Sequence, residues 1–241
     1  MPILVRTWNL FHGNTVPPGR VNLLEPAVRL AASGDPDLVC LQEVPVWALE
    51  YLDDWSGMVA VGAVTSRRPV GRELARRVTA LNPGLLRSAV TGQANAILVA
   101  PPLRVLQTDT LVLRPRTLRE RRVAQALRVA LPDGRTLTLA NVHATNASEE
   151  LADAQLLRAA VFLDATATPA DVAVLAGDFN VRRGRALDEL RDWGFSAPAA
   201  GIDHVLVRGA ETGRAEVWPE ERRRIGGLLV SDHAPVEVTV T

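Results

Sequence analysis

Val172-Ala173-Val174-Leu175-Ala176 followed by Gly177-Asp178-Phe179-Asn180 is the stretch on which the reading of this chain turns. Five consecutive small or branched apolar residues have the length of a strand buried on both faces, and the run stops at a glycine, a carboxylate and a carboxamide. A strand that ends this way delivers polar groups to one edge of a sheet. The arrangement recurs along the chain: Asn9 follows the apolar run 3–8, Glu43 follows 37–41, and His143 follows 136–142. Asp203 and His204 open the run 203–207, while Asp232 and His233 close the loop before the run 235–240.

Between these runs the apolar spacing switches to helical period at 23–32, 46–55, 71–81, 148–165 and 186–193, with further strands expected at 58–64 and 94–100. Ser148 is placed to cap its helix, with Glu149 and Glu150 in the first turn where the dipole favours negative charge. Asn82, Pro83 and Gly84 are expected to stop the helix before them. Asp133 and Gly134 tolerate the positive φ of a tight turn, so 124–131 and 136–142 read as an antiparallel hairpin. Helices mixed with hairpins, with no internal repeat and no linker, predict one layered α/β domain over 1–241.

Composition agrees with a folded chain. Of 241 residues, 47% are hydrophobic and 22% charged, which excludes disorder, and a chain of this length builds its core without staples. The single cysteine, Cys40, excludes an internal disulfide and a cysteine-based zinc site, and it reads as an inert buried thiol in a reducing compartment. Without a signal-like N-terminus or an 18-residue apolar run, the expectation is a cytoplasmic, soluble protein with no membrane span. The pattern leaves the oligomeric state open. All 27 basic residues are arginine against 27 acids. They are unevenly spread: residues 61–135 carry 14 Arg and four acids, a net +10, flanked by −4 and −6. An anionic partner suits that middle third, although solvated surface arginines account for it equally well.

If the strand ends share one edge, four carboxylates, at least two imidazoles and two carboxamides converge. Two like charges ~4 Å apart repel by about 4 kcal/mol at an effective dielectric near 20, so bringing Glu43, Asp178 and Asp232 together calls for a cation. Oxygen donors point to Mg²⁺ or Mn²⁺ rather than zinc. Such an ion polarises a phosphoryl oxygen and neutralises charge as a P–O bond breaks.

Segments 7–9, 41–44, 141–143, 177–180, 202–204 and 231–233, in this order, resemble the endonuclease/exonuclease/phosphatase superfamily over essentially the whole chain. The resemblance implies a DNase I-like four-layer α/β/β/α sandwich, two mostly antiparallel sheets flanked by helices, that cleaves phosphate esters with a divalent metal. It implies that Glu43 is the primary metal ligand, with Asn9 at the same ion or its waters and Asp232 in support. It further implies that Asp178 orients or deprotonates the attacking water, that Asn180 donates to a phosphate oxygen, and that His233, oriented by Asp203, meets the scissile phosphate with His143. Either Asp178 or His233 fits as the base, with Asp178 preferred so that a charged His233 stabilises the phosphate.

Asn95 resembles a segment that reaches the family's phosphate site. Arg119, Arg121 and Arg122 have the fork geometry for bidentate phosphate contact, although a solvated approach to the next strand explains them as well. His204 reads as a packed or surface ring and the five tryptophans as core, while His12, in a loop with Asn14 just past Asn9, either reaches the site or is an incidental loop histidine. The leading expectation is a Mg²⁺ or Mn²⁺-dependent phosphodiester hydrolase of nuclease type acting on DNA or RNA, with Arg67, Arg68, Arg72, Arg76 and Arg77 as a basic groove. The alternatives are a phosphatase or diesterase for small or lipid-linked phosphates, and a phosphate-binding module without turnover.

Overall fold

Strands buried on both faces need cover on both sides, and the chain supplies it with two facing sheets and helices outside them. The computed structural model describes residues 1–19, 21–67, 69–81, 87–113 and 121–241. The chain runs through β1 (Ile3–Asn9), β2 (Thr15–Val16), α1 (Leu24–Ala31), β3 (Leu38–Val44), α2 (Leu52–Ser56), β4 (Val59–Ser66), α3 (Arg72–Leu81), α4 (Arg87–Thr91), β5 (Gln93–Val99), β6 (Arg104–Val112) and β7 (Val123–Ala130). It continues through β8 (Thr136–His143), α5 (Glu149–Thr166), β9 (Val172–Asp178), α6 (Arg185–Asp192), β10 (Asp203–Arg208), β11 (Glu216–Val217), β12 (Arg224–Ile225), β13 (Leu228–Val230) and β14 (Val236–Val240).

One sheet has the order β11-β14-β1-β3-β5-β4, the other β10-β9-β8-β7-β6, and β12, β13 and β2 form a small third sheet. Pairing is antiparallel except for one pair inside each large sheet, β1 with β3 and β8 with β9. Between the sheets, Val5, Leu38, Cys40 and Ile97 meet Leu127, Leu139, Val174 and Val205. Outside the first sheet, Val28, Ala31 and Leu52 from α1 and α2 cover Val39, Leu41 and Leu98. Outside the second, Leu156, Ala160 and Leu187 from α5 and α6 cover Ala140 and Leu175. Each fully buried Leu or Val contributes roughly 1.5–3 kcal/mol, so the three apolar layers supply the main driving force. The order of layers is α/β/β/α, as expected.

Local chemistry explains the boundaries. The Ser148 hydroxyl accepts from the Leu151 amide at 3.2 Å, capping α5. Gly134 takes φ 86° in the β7–β8 turn, and Asp133 accepts from the Arg135 amide at 3.1 Å. The helix expected over 46–55 is instead a 3₁₀ turn, Val46–Tyr51, running into the short α2. Tyr51 stacks on Trp55 there with ring centres 5.5 Å apart, and Trp47 Nε1 donates to Thr79 Oγ1 at 3.0 Å. β6 has no counterpart in the sequence reading, because this edge strand is largely exposed and carries no buried alternation. The expected stop at 82–84 lies outside the described residues. Trp193 is 38% exposed, so it leaves the core that holds Trp8, Trp47 and Trp218. No helix among the described residues is long and apolar enough to cross a membrane.

Amides tie the sheets together below the strand ends. Asn141 on β8 donates to the carbonyls of Leu41 on β3 and Ala96 on β5 at 3.0 and 2.9 Å, while its Oδ1 accepts from Gln42 Nε2 at 2.8 Å. Gln42 Nε2 also reaches Thr7 Oγ1 at 3.0 Å. Further out, Asn95 on β5 donates to the Val123 carbonyl at 3.1 Å, and Gln125 on β7 donates to that of Val61 at 2.7 Å. Asn141→Ala strands two buried carbonyls at about 1–3 kcal/mol each, so it should lower stability by about 3 kcal/mol. The check is urea unfolding, where the midpoint falls and the slope stays unchanged; a loss below about 1 kcal/mol would show that the tie contributes little.

Candidate active site

The two parallel pairs carry their C-terminal ends to the same place. Asn9 is the last residue of β1, Glu43 lies one residue before the end of β3, and His143 and Asp178 end β8 and β9, directly paired with each other. The gap between the sheets closes there through Asn9 Nδ2, which donates to Asp178 Oδ2 at 3.0 Å. Sheet edges of this kind, where neighbouring parallel strands end, are the usual place for ligand chemistry in α/β folds.

Glu43 is aimed by a defect in its own strand. Between Leu41 and Val44 the register with β5 slips by one residue, and Glu43 takes φ 54°. A bulge redirects one side chain out of the ladder, and here it turns the carboxylate toward His12 and His143. His12 Nε2 stands 3.6 Å from Glu43 Oε2, and His143 Nε2 stands 3.9 Å from Glu43 Oε1.

Asp178 depends on Gly177, which has φ 141° and no room for a Cβ. An added carbon would sit 1.8 Å from the Val142 carbonyl oxygen on β8. That close approach seats Asp178 beside His143, with Oδ2 3.4 Å from His143 Nε2. Its Oδ1 accepts from the Asn180 amide at 3.0 Å, and Asn180 Nδ2 donates to the Ala144 carbonyl at 3.0 Å.

His233 is held from three directions. Its Nδ1 meets Asp203 Oδ2 at 2.9 Å, which leaves Nε2 facing Asp178 Oδ2 at 3.8 Å. The backbone of its loop is fixed by Trp8 Nε1 and Arg223 Nη1, which donate to the His233 carbonyl at 3.0 and 2.9 Å. Ser231 Oγ donates to the Asn9 carbonyl at 2.7 Å and accepts from the His233 amide at 3.1 Å.

The structure therefore brings together Asn9, Glu43, His143, Asp178, Asn180, Asp203 and His233. Asp232 lies at the rim, half exposed, with Oδ1 3.9 Å from His233 Nε2. Both ends of the Asn9 amide are engaged, since Oδ1 accepts from the Phe11 amide at 3.0 Å; its visible work is to orient carboxylates rather than to present a free oxygen. Asn95 departs from expectation, because it is fully buried and spent on the inter-sheet bond to Val123. Arg119 lies outside the described residues. Arg122 is buried close enough for its charge to act on both Glu43 and His143. His204 is a packed ring, with Nε2 2.9 Å from the Val181 carbonyl and its face on Phe179. One contributor escaped the sequence reading, and a second, His12, was left ambiguous by it. Arg223 acts through the backbone carbonyls of Ser231 and His233, each at 2.9 Å, and nothing in an Arg-rich run singles it out. His12 carried a signal in its position three residues after Asn9, but its neighbour Glu43 is visible only in three dimensions.

Burial sets the proton affinities. It pushes Glu43 up to about 7, with the Asp178 charge adding to it, and Asp178 up to about 6, with Asp203 adding to it. Burial, then the charges of Arg122, His233 and His12, keep His143 well below the usual histidine range and neutral. For His233 burial opposes the charged ring, but the hydrogen bond and charge of Asp203, with Asp178 and Asp232, outweigh it and hold the ring up at about 9. Carboxylates driven toward their neutral forms at close quarters are relieved by a cation, and hard oxygens mixed with imidazole nitrogens suit a divalent one. One oxygen each of Asp178 and Asp203 and a nitrogen of His233 lie within 4.8 Å of one another, a spacing that could hold such an ion.

Comparison with known proteins agrees with the fold. Solved structures with the same fold include a functionally unknown conserved protein from Enterococcus faecalis, with TM-score 0.75 and 18% identity over 99% of each chain. A mannosyl-6-phosphatase from Bacteroides thetaiotaomicron aligns with TM-score 0.70 and 15% identity over 99% of each chain. Truncated TDP2 from Caenorhabditis elegans aligns with TM-score 0.65 and 18% identity over 100% of this chain and 97% of that one. No curated protein matches by sequence. The model of the Endonuclease/Exonuclease/phosphatase family matches residues 7–233, and the chain belongs to that family.

Proposed function

We propose that this phosphoesterase is a divalent-metal-dependent phosphodiester hydrolase of nuclease type, with Mg²⁺ or Mn²⁺ as the ion and DNA or RNA as the substrate class. The observation that carries the choice of a polyanion is the pair Arg182 and Arg183. Both are exposed, two and three residues beyond Asn180, and neither forms an ion pair among the described residues. A substrate with further phosphates beside the scissile one would meet them. The basic run around α3 supports this less than its sequence suggested. Arg72 is paired with Glu50 at 2.8 Å and Arg77 with Glu73 at 3.1 Å, Arg68 lies outside the described residues, and Arg67 and Arg76 remain as exposed charges.

In this reading Glu43, steadied by Asn9 and with Asp232 at the rim, holds the cation, which when bound offers charge neutralisation to the phosphoryl oxygens. Asp178, a carboxylate poised near neutrality, takes the proton of the attacking water. Asn9 and Asn180 fix its two oxygens, so its lone pairs point one way. Charged His233 and Arg122 bind the equatorial oxygens, and neutral His143 stays available to donate or accept. The phosphatase reading has one point in its favour, that the paired arginines of α3 leave a less basic face for a long polymer.

Three outcomes follow. Asp178→Asn should reduce metal-dependent cleavage of a plasmid, an RNA oligomer or a chromogenic diester by at least ~10³-fold without loss of fold; near-normal turnover would remove Asp178 from the chemistry. Arg182→Ala with Arg183→Ala should raise KM for oligonucleotides and flatten the dependence of log affinity on log salt by about one to two. It should leave a small chromogenic diester unaffected, whereas an unchanged salt slope together with preferred cleavage of a sugar monoester would favour the phosphatase. In the metal-free protein, Asp203→Asn should drop the His233 pKa from about 9 by at least one unit in an NMR titration. The folded ring keeps its proton far above the ordinary 6.5, so the pair stabilises the fold fully below pH 6.5 and loses that contribution as pH rises through about 9. The Tm gap between wild type and Asp203→Asn should shrink over that window.

A further inference from the structure

We propose that His12 is a nitrogen ligand of the cation held at Glu43, making this a mixed nitrogen–oxygen centre that favours a first-row transition ion such as Mn²⁺ over Mg²⁺. The inference rests on the reading of Glu43 as the cation's carboxylate and adds a donor and a selectivity to it.

The distance is the first argument. Nε2 of His12 and Oε2 of Glu43 are 3.6 Å apart, beyond the usual 2.7–3.2 Å of a direct N–H···O bond. Two donors that each sit about 2.1 Å from one ion stand roughly 3–4 Å apart, which is the separation seen. The second argument is immobility. His12 is buried, and its turn is fixed at every step. The Phe11 amide is held by Asn9 Oδ1, the Gly13 amide donates to the Leu10 carbonyl at 2.8 Å, and the Gly13 carbonyl accepts from the Leu23 amide at 3.1 Å. A Cβ on Gly13 would lie 2.5 Å from the Leu24 backbone, so the turn cannot swing outward. The third argument is strain. Phe11 and His12 take φ 48° and 55°, a conformation that costs a non-glycine residue about 1–2 kcal/mol and that is kept where a function needs the side chain aimed.

His143 approaches the other oxygen of Glu43 but sits on β8 beside Asp178, on the side assigned to the phosphate. His12 instead lies in the turn that directly follows β1, three residues after Asn9, against the end of β3 that carries Glu43. An imidazole added to carboxylate donors improves the site for ions along the Mn²⁺, Co²⁺, Ni²⁺ series and does nothing for Mg²⁺, which keeps oxygen ligands and waters.

The test uses the full chain, Mn²⁺ and Mg²⁺. Pulsed EPR of the Mn²⁺-loaded protein should show ¹⁴N coupling from a directly bound imidazole, and competition should show Mn²⁺ binding at least tenfold tighter than Mg²⁺. His12→Asn and His12→Gly both tolerate the positive φ, so they keep the turn. Both should abolish the ¹⁴N coupling and bring the Mn²⁺ to Mg²⁺ preference down by about tenfold or more, while His143→Gln keeps the coupling. Persistence of the coupling and the preference in the two His12 variants would overturn the assignment. Glu43→Gln separates the two levels: if it leaves Mn²⁺ affinity untouched, the underlying cation site is wrong. If it abolishes binding while the His12 variants behave as wild type, only the role of His12 fails.

Discussion

A buried amide joins the two sheets just below the site, inside the apolar layer that packs between them. Asn141 satisfies carbonyls on β3 and β5 and accepts from Gln42, so the ends of both parallel pairs are fixed relative to each other one turn of pleat below the reacting groups. Each such bond contributes only about 1 kcal/mol net, far less than the repulsion of unpaired like charges in the same volume. The clamp therefore does not overcome that repulsion. It resists a sliding of the sheets that could relieve the repulsion, because sliding would part the Leu41 and Ala96 carbonyls from the Asn141 amide. The charges must find relief locally, in the raised proton affinities of Glu43 and Asp178 or in a cation.

Backbone strain is concentrated at the same edge. Of the six non-glycine residues with positive φ among those described, five are Phe11, His12, Glu43, Asn180 and Ser231, all in or next to the site. Each is over-determined by neighbours: the bulge in β3, the Asx-like bond from Asn180 to Asp178, the Ser231 hydroxyl on Asn9. Gly177 completes the set, since no other residue lets β9 approach β8 so closely. These positions give up local stability so that side chains leave the regular alternation of the strands and face one another.

That pattern explains what the sequence made legible. The apolar runs at 3–8, 37–41 and 172–176 predicted strands because period and length are local properties, and the Asp133-Gly134 turn and the Ser148 cap carry their own chemistry. The polar residue after each run marked the side chains that the structure clusters at one edge, for the same reason. Partners across the sheets were not legible. Asn95 and Asn141 are the same residue type in similar strand contexts, and only the facing sheet makes both of them ties rather than ligands. The arginines of α3 looked like a groove because Glu50, which takes Arg72, lies in a different element. β6, an exposed edge with little apolar alternation, gave no periodic signal at all.

The division of labour between the sheets follows from the topology. β1 and β3 deliver Asn9, Glu43 and the turn bearing His12, while β8, β9 and β10 deliver His143, Asp178 and Asp203, with Asn180 just past the end of β9. The loop ahead of β14 spans the two, with Ser231 bonded to the first sheet and His233 to Asp203 on the second. In the proposed assignment, a change in metal preference would arise at Glu43 and His12 while leaving Asp178, Asp203 and His233 in place. In the same assignment, a change in substrate would arise at Arg182 and Arg183 in the loop after Asn180. The distance between the halves is thus set by several bonds at once, the amides of Asn141, Asn95 and Gln125 below the site and the Asn9 to Asp178 bond at it, so that no single one of them positions the cluster alone.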